Sequence, residues 1–231
     1  MRDESNRTLD RVGAIAGIAF VALFAAIIMV VPHVAAPQHS IAEIGRSAHD
    51  NRQGILFGTY LASLLTGTLL VFGASVVARL WRTERETGGW WVVALTGVAG
   101  TSVGLVTGSV LVGFVRAVGH GVTGNVLWIG YPAGPDGVDI AIPLAVFLLG
   151  AGLGGRASGA LAPWLARFAV VLSCLFAVGA AAVTGNEVDG GPLGVLLLLA
   201  YLGLLVWTVA ASLALWRRPV VAPAELLPSI A

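Results

Sequence analysis

Lysine is absent from this chain of 231 residues: all thirteen cationic side chains are arginine, a bias that reads as GC-rich coding. Charged residues of either sign make up only 11% of the sequence, against about a quarter in soluble globular domains. A water-soluble fold of this size would have too little polar side chain to cover its surface. The net charge of +1, with no arginine stripe long enough to track phosphates, excludes a nucleic-acid binder. A single cysteine, Cys174, excludes an intrachain disulfide. It falls inside an apolar run and reads as a small packing residue. Those apolar runs also lack charge near their middles. That absence argues against proton relays, ion-coupled transporters and voltage sensors, which place costly charges there because they need them.

What is present is apolar: 57% of the chain is hydrophobic. Six long segments, 12–36, 54–80, 90–115, 138–155, 161–184 and 192–216, approach the ~20 residues needed to cross ~30 Å of hydrocarbon. The expected fold is an all-α polytopic membrane protein, six transmembrane helices in one bundle. A segment 1–11 precedes the helical domain 12–218, and a tail 219–231 follows, expected to be disordered. The first apolar run, Val12 to Val31, is longer than the 7–15-residue core of a signal peptide. Pro37 after Ala36 disfavours cleavage there, so the run reads as a retained span.

Alternating the connections between two sides of a membrane places Arg2, Arg7, Arg11, Arg79, Arg82, Arg85, Arg156, Arg167, Arg217 and Arg218 together. Only Arg46, Arg52 and Arg116 fall on the other side. Arginine in short loops stays cytoplasmic, so both termini are expected to face the cytoplasm of a bacterial inner membrane. Trp81, Trp90, Trp91, Trp164 and Trp216 mark the same side, as interfacial anchors do.

The first outer connection carries a capping box, Ser40 and Glu43, with Ile41, Ile44 and Ala48 at helical spacing. It predicts a short amphipathic helix on the outer membrane surface. The third connection, about 116–137, is apolar in its middle, with Trp128 and Tyr131 suited to the headgroup zone. Pro143 is expected in the first turn of the fourth span, where a missing N–H costs little.

The third span holds the strongest packing pattern: Gly97, Gly100, Gly104 and Gly108, with small residues one turn apart. Such a ridge lets a neighbouring helix approach closely and predicts that this span is central. Gly13/Gly17 and Gly54/Gly58 are lesser versions. Gly100-Thr-Ser102-Val-Gly104 also matches the G-x-S-x-G of serine hydrolases, but that motif works on a strand-to-helix turn, not in mid-helix. His120, ~27 Å further along a continuous helix, is out of reach of Ser102.

All four histidines, His33, His39, His49 and His120, map to the outer side, as do Asp136 and Asp139. Imidazole with carboxylate is zinc-type ligand chemistry, yet no H-E-x-x-H or H-x-x-x-H spacing sharpens it. The alternative is a set of solvated loop residues. Arg116, at the outer end of the third span, either snorkels to the headgroups or pairs with Asp136 or Asp139. No cofactor is expected.

Ser40-Ile-Ala-Glu43-Ile followed by Asp50-Asn-Arg52, the span ending Arg79-Leu-Trp-Arg82, and Leu161-Ala-Pro163-Trp164-Leu165 resemble a group of uncharacterised multi-pass membrane proteins of actinobacteria. The third connection departs from that group's pattern. The resemblance implies a six-helix bundle and brings no activity or site residues. The function expected is structural, accessory or partner-binding and non-catalytic, with the lipid bilayer, other membrane proteins or a second copy as partners. A small-molecule or lipid carrier using a glycine-lined path beside the third span is the alternative. An outer-side metal-dependent enzyme is the third reading.

Overall fold

The structure, a computed structural model, describes residues 2–30, 50, 52–84, 88–107, 138–181 and 191–217. Regular structure among these residues is helical throughout. The helices are α1 (Arg2–Val30), α2 (Arg52–Thr83), α3 (Trp90–Leu105), α4 (Val138–Ser158), α5 (Pro163–Gly179) and α6 (Pro192–Arg217). Four of them, α1, α2, α4 and α6, are long and apolar enough to cross a membrane. At 1.5 Å per residue, α3 and α5 run roughly 24–26 Å as described.

Each helix packs on its neighbour in sequence, and α6 closes back onto α1. Short connections enforce the antiparallel pairing of α2 with α3 and of α4 with α5. Gly88 and Gly89, both at positive φ, turn the chain from α2 into α3, and Gly159 in the left-handed region ends α4. The axis is filled by aromatic rings from α2, α4 and α6. Trp207 receives the edges of Phe72 and Phe147 at centroid distances of 6.0 and 5.8 Å, and its Nε1 donates to the Leu165 carbonyl at 3.1 Å. Ser173 on α5 donates to the Ala145 carbonyl of α4 at 2.7 Å. With lipid tails as apolar as leucine outside, tight contacts and such interhelical bonds hold the helices together. The bundle is an all-α membrane fold whose outward faces carry Ile15, Ile18, Met29, Val171, Leu198 and Val206.

The central helix is α4, not the glycine-ridged α3. Among the four long helices α4 is the most buried, with 61% of its apolar window inside against 50% in α2 and 28% in α1 and in α6, and among the described residues it packs on α2, α3 and α5 where α3 packs on α2 and α4. The cause is its own small residues. A Cβ on Gly150 would strike the α3 backbone at Ala94, one on Gly152 the α5 residues Val170 and Ala166, and one on Gly155 Leu161. Glycines on several faces let helices close in from several sides. In α3, Gly97 lies against the Phe147 backbone and Gly100 against Pro143, so both face α4. Gly104 is half-buried, and Gly108 lies outside the described residues.

Three further expectations change. Residues 2–11, expected to precede the first span, form the first turns of α1. Pro143 is the sixth residue of α4, beyond the first turn, and removes the donor that would bond to the Asp139 carbonyl. Cys174 points outward from α5 rather than into the core, because Leu172, Ser173 and Phe176 occupy the inward positions. The amphipathic segment at 37–53 lies, but for Asp50, Arg52 and Gln53, outside the described residues.

Candidate functional site

Among the described residues, the charged groups buried inside the bundle gather at one end, where α1 starts, α2 turns into α3, α4 turns into α5, and α6 finishes. Asp10, Arg79 and Glu84 are only 4–5% exposed. Helical spacing explains how they arrive. On α1, Asp10, Gly13 and Gly17 share one stripe, and on α2 so do Phe72, Ser75, Arg79 and Arg82. A Cβ on Gly13 would fall on the Ser75 side chain and one on Gly17 on Phe72 and Ser212, so α1 lies almost against α2 and α6. The Ser75 hydroxyl reaches the Leu9 carbonyl at 3.3 Å. That contact sets Asp10, one turn before Gly13, opposite the two arginines.

Arg82 Nη2 donates directly to Asp10 Oδ1, and Arg79 Nη1 stands 3.7 Å from Oδ2. Arg79 Nε donates to the Ala160 carbonyl at 3.0 Å, in the turn that follows α4. A cation there also meets the negative end of the α4 dipole. Glu84 completes the node at the opposite kind of terminus. Its Oε2 accepts the Trp91 N–H at 3.0 Å, at the start of α3, where Gly89 offers no side-chain cap. Its Oε1 is buried with no hydrogen-bond partner among the described residues and faces Gly154. The node therefore ties α1 to α2 and α2 to α4, α5 and α3.

The sequence places Arg79 and Arg82 among the ten arginines of one membrane side and assigns Asp10 and Glu84 no role. The signal was available. Asp10 continues the Gly13/Gly17 stripe, and Arg79 and Arg82 continue the Ser75 stripe on a helix otherwise apolar over that face.

Toward the other end, ~20 Å along α1 from Asp10 at helical rise, a shallow surface crevice with about 20 Å³ of free space, room for roughly one water, lies among α1, α2, α3, α4 and α6. Phe20, Phe24, Leu65, Leu105, Leu144 and Tyr201 line it. Thr101 turns its hydroxyl to its own Gly97 carbonyl, leaving its methyl toward the space. The lining is apolar, and the α3 glycines are not part of it.

Ser102 of the G-x-S-x-G sequence is buried in mid-helix, its hydroxyl donating to the Val98 carbonyl at 2.8 Å. His33, His39, His49, His120, Arg116 and Asp136 lie outside the described residues, and Asp139 is placed only by its backbone in the first turn of α4. Among the described residues, no group of three or more histidine, cysteine, aspartate or glutamate side chains converges as metal ligands do. No family model, curated protein or solved structure matches this chain.

Proposed function

We propose that this membrane protein is a six-span inner-membrane component, related to the actinobacterial group it resembles, that works by holding a partner protein rather than by catalysis. The observation carrying this reading is the filled axis. Phe72, Phe147 and Trp207 close the bundle centre, and the buried charges sit at one end in contacts that join helices to one another. A partner would dock on an outward apolar face. Photo-crosslinking residues at Leu202 and Val206, both outward on α6, are expected to trap a discrete protein adduct in cells. Crosslinks to lipid alone at every outward position would overturn the reading.

Both termini are proposed to be cytoplasmic. Exposed Trp81, Trp164 and Trp216 and exposed Arg7, Arg11, Arg156, Arg167 and Arg217 collect at the end holding the chain's N-terminal helix start and α6 finish, as the positive-inside pattern supports. In a Cys174→Ala background, a cysteine at Glu86 should label only from the cytoplasmic side and one at Val122 only from the periplasmic side. Labelling of both from one side would remove the six-span count. A second reading, a carrier of a lipid or small apolar molecule, would use the apolar crevice beside Phe24 and Tyr201, which would have to widen to admit one.

A further inference from the structure

The α1–α6 edge has the profile of an anionic amphiphile's counterpart. Arg7, Arg11, Ile15 and Ile18 fall in one stripe of α1, and all four side chains are exposed. Beside it on α6, Arg217 and Trp216 lead into Leu213 and Val206, also exposed. The two stripes meet: the Arg11 guanidinium carbon lies 5.9 Å from the centre of the Trp216 ring, a cation–π contact. Charge therefore gives way to aliphatic surface along both helices, with the Trp216 ring of α6 lying between the two zones.

Among the described residues, the charge on this edge is not neutralised from within. Asp10 is turned inward to Arg79 and Arg82. Among the described residues Arg7, Arg11 and Arg217 have no ion pair, not even with exposed Glu4 one turn before Arg7. Like charges one turn apart, as in Arg7 and Arg11, repel, and an anion between them would relieve that repulsion. Guanidinium groups match phosphate oxygens in a fork geometry.

We propose that Arg7, Arg11, Trp216 and Arg217 form a binding site for an anionic phospholipid. The phosphodiester sits among the three guanidinium groups, the glycerol region lies at Trp216, and an acyl chain lies along Leu213 and Ile15. The proposal rests on the bundle lying in a membrane and is independent of which way the termini face.

The test uses the full chain in phosphatidylcholine nanodiscs, with bound phosphatidylglycerol counted by native mass spectrometry. The triple variant R7Q/R11Q/R217Q is expected to bind phosphatidylglycerol on the order of a hundredfold more weakly, at the attraction typical of arginine near an anionic surface. Phosphatidylcholine binding should not change, and R156Q/R167Q, an equal kind of change elsewhere on the same end, should stay within about threefold. Should the triple variant fail to fold, R217Q alone, at the last helical residue, is expected to weaken binding about fivefold. Equal loss in R156Q/R167Q would mean diffuse attraction and overturn the site, as would no loss in the triple variant. Displacement of the lipid by millimolar inorganic phosphate would also overturn it, since the site would then read a free anion and not an amphiphile.

Discussion

Gly97→Val is expected to unfold the bundle at a lower temperature than any conservative surface change, with a loss of about 3 kcal/mol or more, at the upper end of overpacking costs. A Cβ at position 97 meets the Phe147 backbone nitrogen and Cα, not a side chain that could swing aside. Relief requires α3 and α4 to separate, and their contact is reciprocal: Gly150 of α4 sits equally close to the Ala94 backbone of α3. Separation would loosen the packing around Phe147 and so reach the Trp207 cluster. Gly67→Ala is the internal control, because nothing lies within 4 Å of its Cβ position. There the change should be neutral or stabilising by up to ~1 kcal/mol, since alanine restricts the unfolded chain and favours helix. Thermal unfolding of both variants in the same detergent checks the pair. Equal melting temperatures would show that the α3–α4 crossing is not set by Gly97.

The helices were legible because their signal is composition over long windows, which tertiary context hardly alters. Segment ends were less so. The charges between Arg2 and Arg11 put the expected start of the first span at residue 12. A helix begins at Arg2 instead, since Asp10 is neutralised from within and no longer opposes burial. The choice of α3 as the centre followed the longest regular glycine spacing. Spacing on one face specifies one neighbour, and the glycines of α4 at 150, 152, 154 and 155 point to several. The charge node was the least legible part, because it joins residues 72 and 81 positions apart. Only the helical register, Asp10 with Gly13 and Arg79 with Ser75, carries a trace of it. Cys174 was misplaced for the same reason: its inward or outward face depends on the register of α5, fixed by Ser173 bonding to Ala145.

The register argument makes Asp10 the residue on which the docking of α1 depends. Asp10→Asn is expected to cost about 3–5 kcal/mol, the range for removing one partner of a buried ion pair and leaving the other charge uncompensated. Two cations are affected here. Arg82 is 16% exposed at its side chain and can turn outward, whereas Arg79 at 6% is held by the Ala160 carbonyl and cannot. The stranded charge therefore sits between α2 and the α4–α5 turn, and the loss should appear as loosening of that turn as well as of α1. Arg82→Gln alone should cost less than Asp10→Asn, because Arg79 still faces the carboxylate. Replacing the set together, Asp10→Leu with Arg79→Met and Arg82→Met, should recover much of the loss, since apolar side chains of similar volume often substitute for a buried ionic group at little net cost. Removing an acid leaves membrane orientation essentially untouched, so unfolding in detergent reads the packing effect directly. If Asp10→Asn melts within a degree or two of the parent, the ion pairs do not hold α1. The close approach at Gly13 and Gly17 would then be sufficient, and Gly13→Val would be the variant that releases the helix.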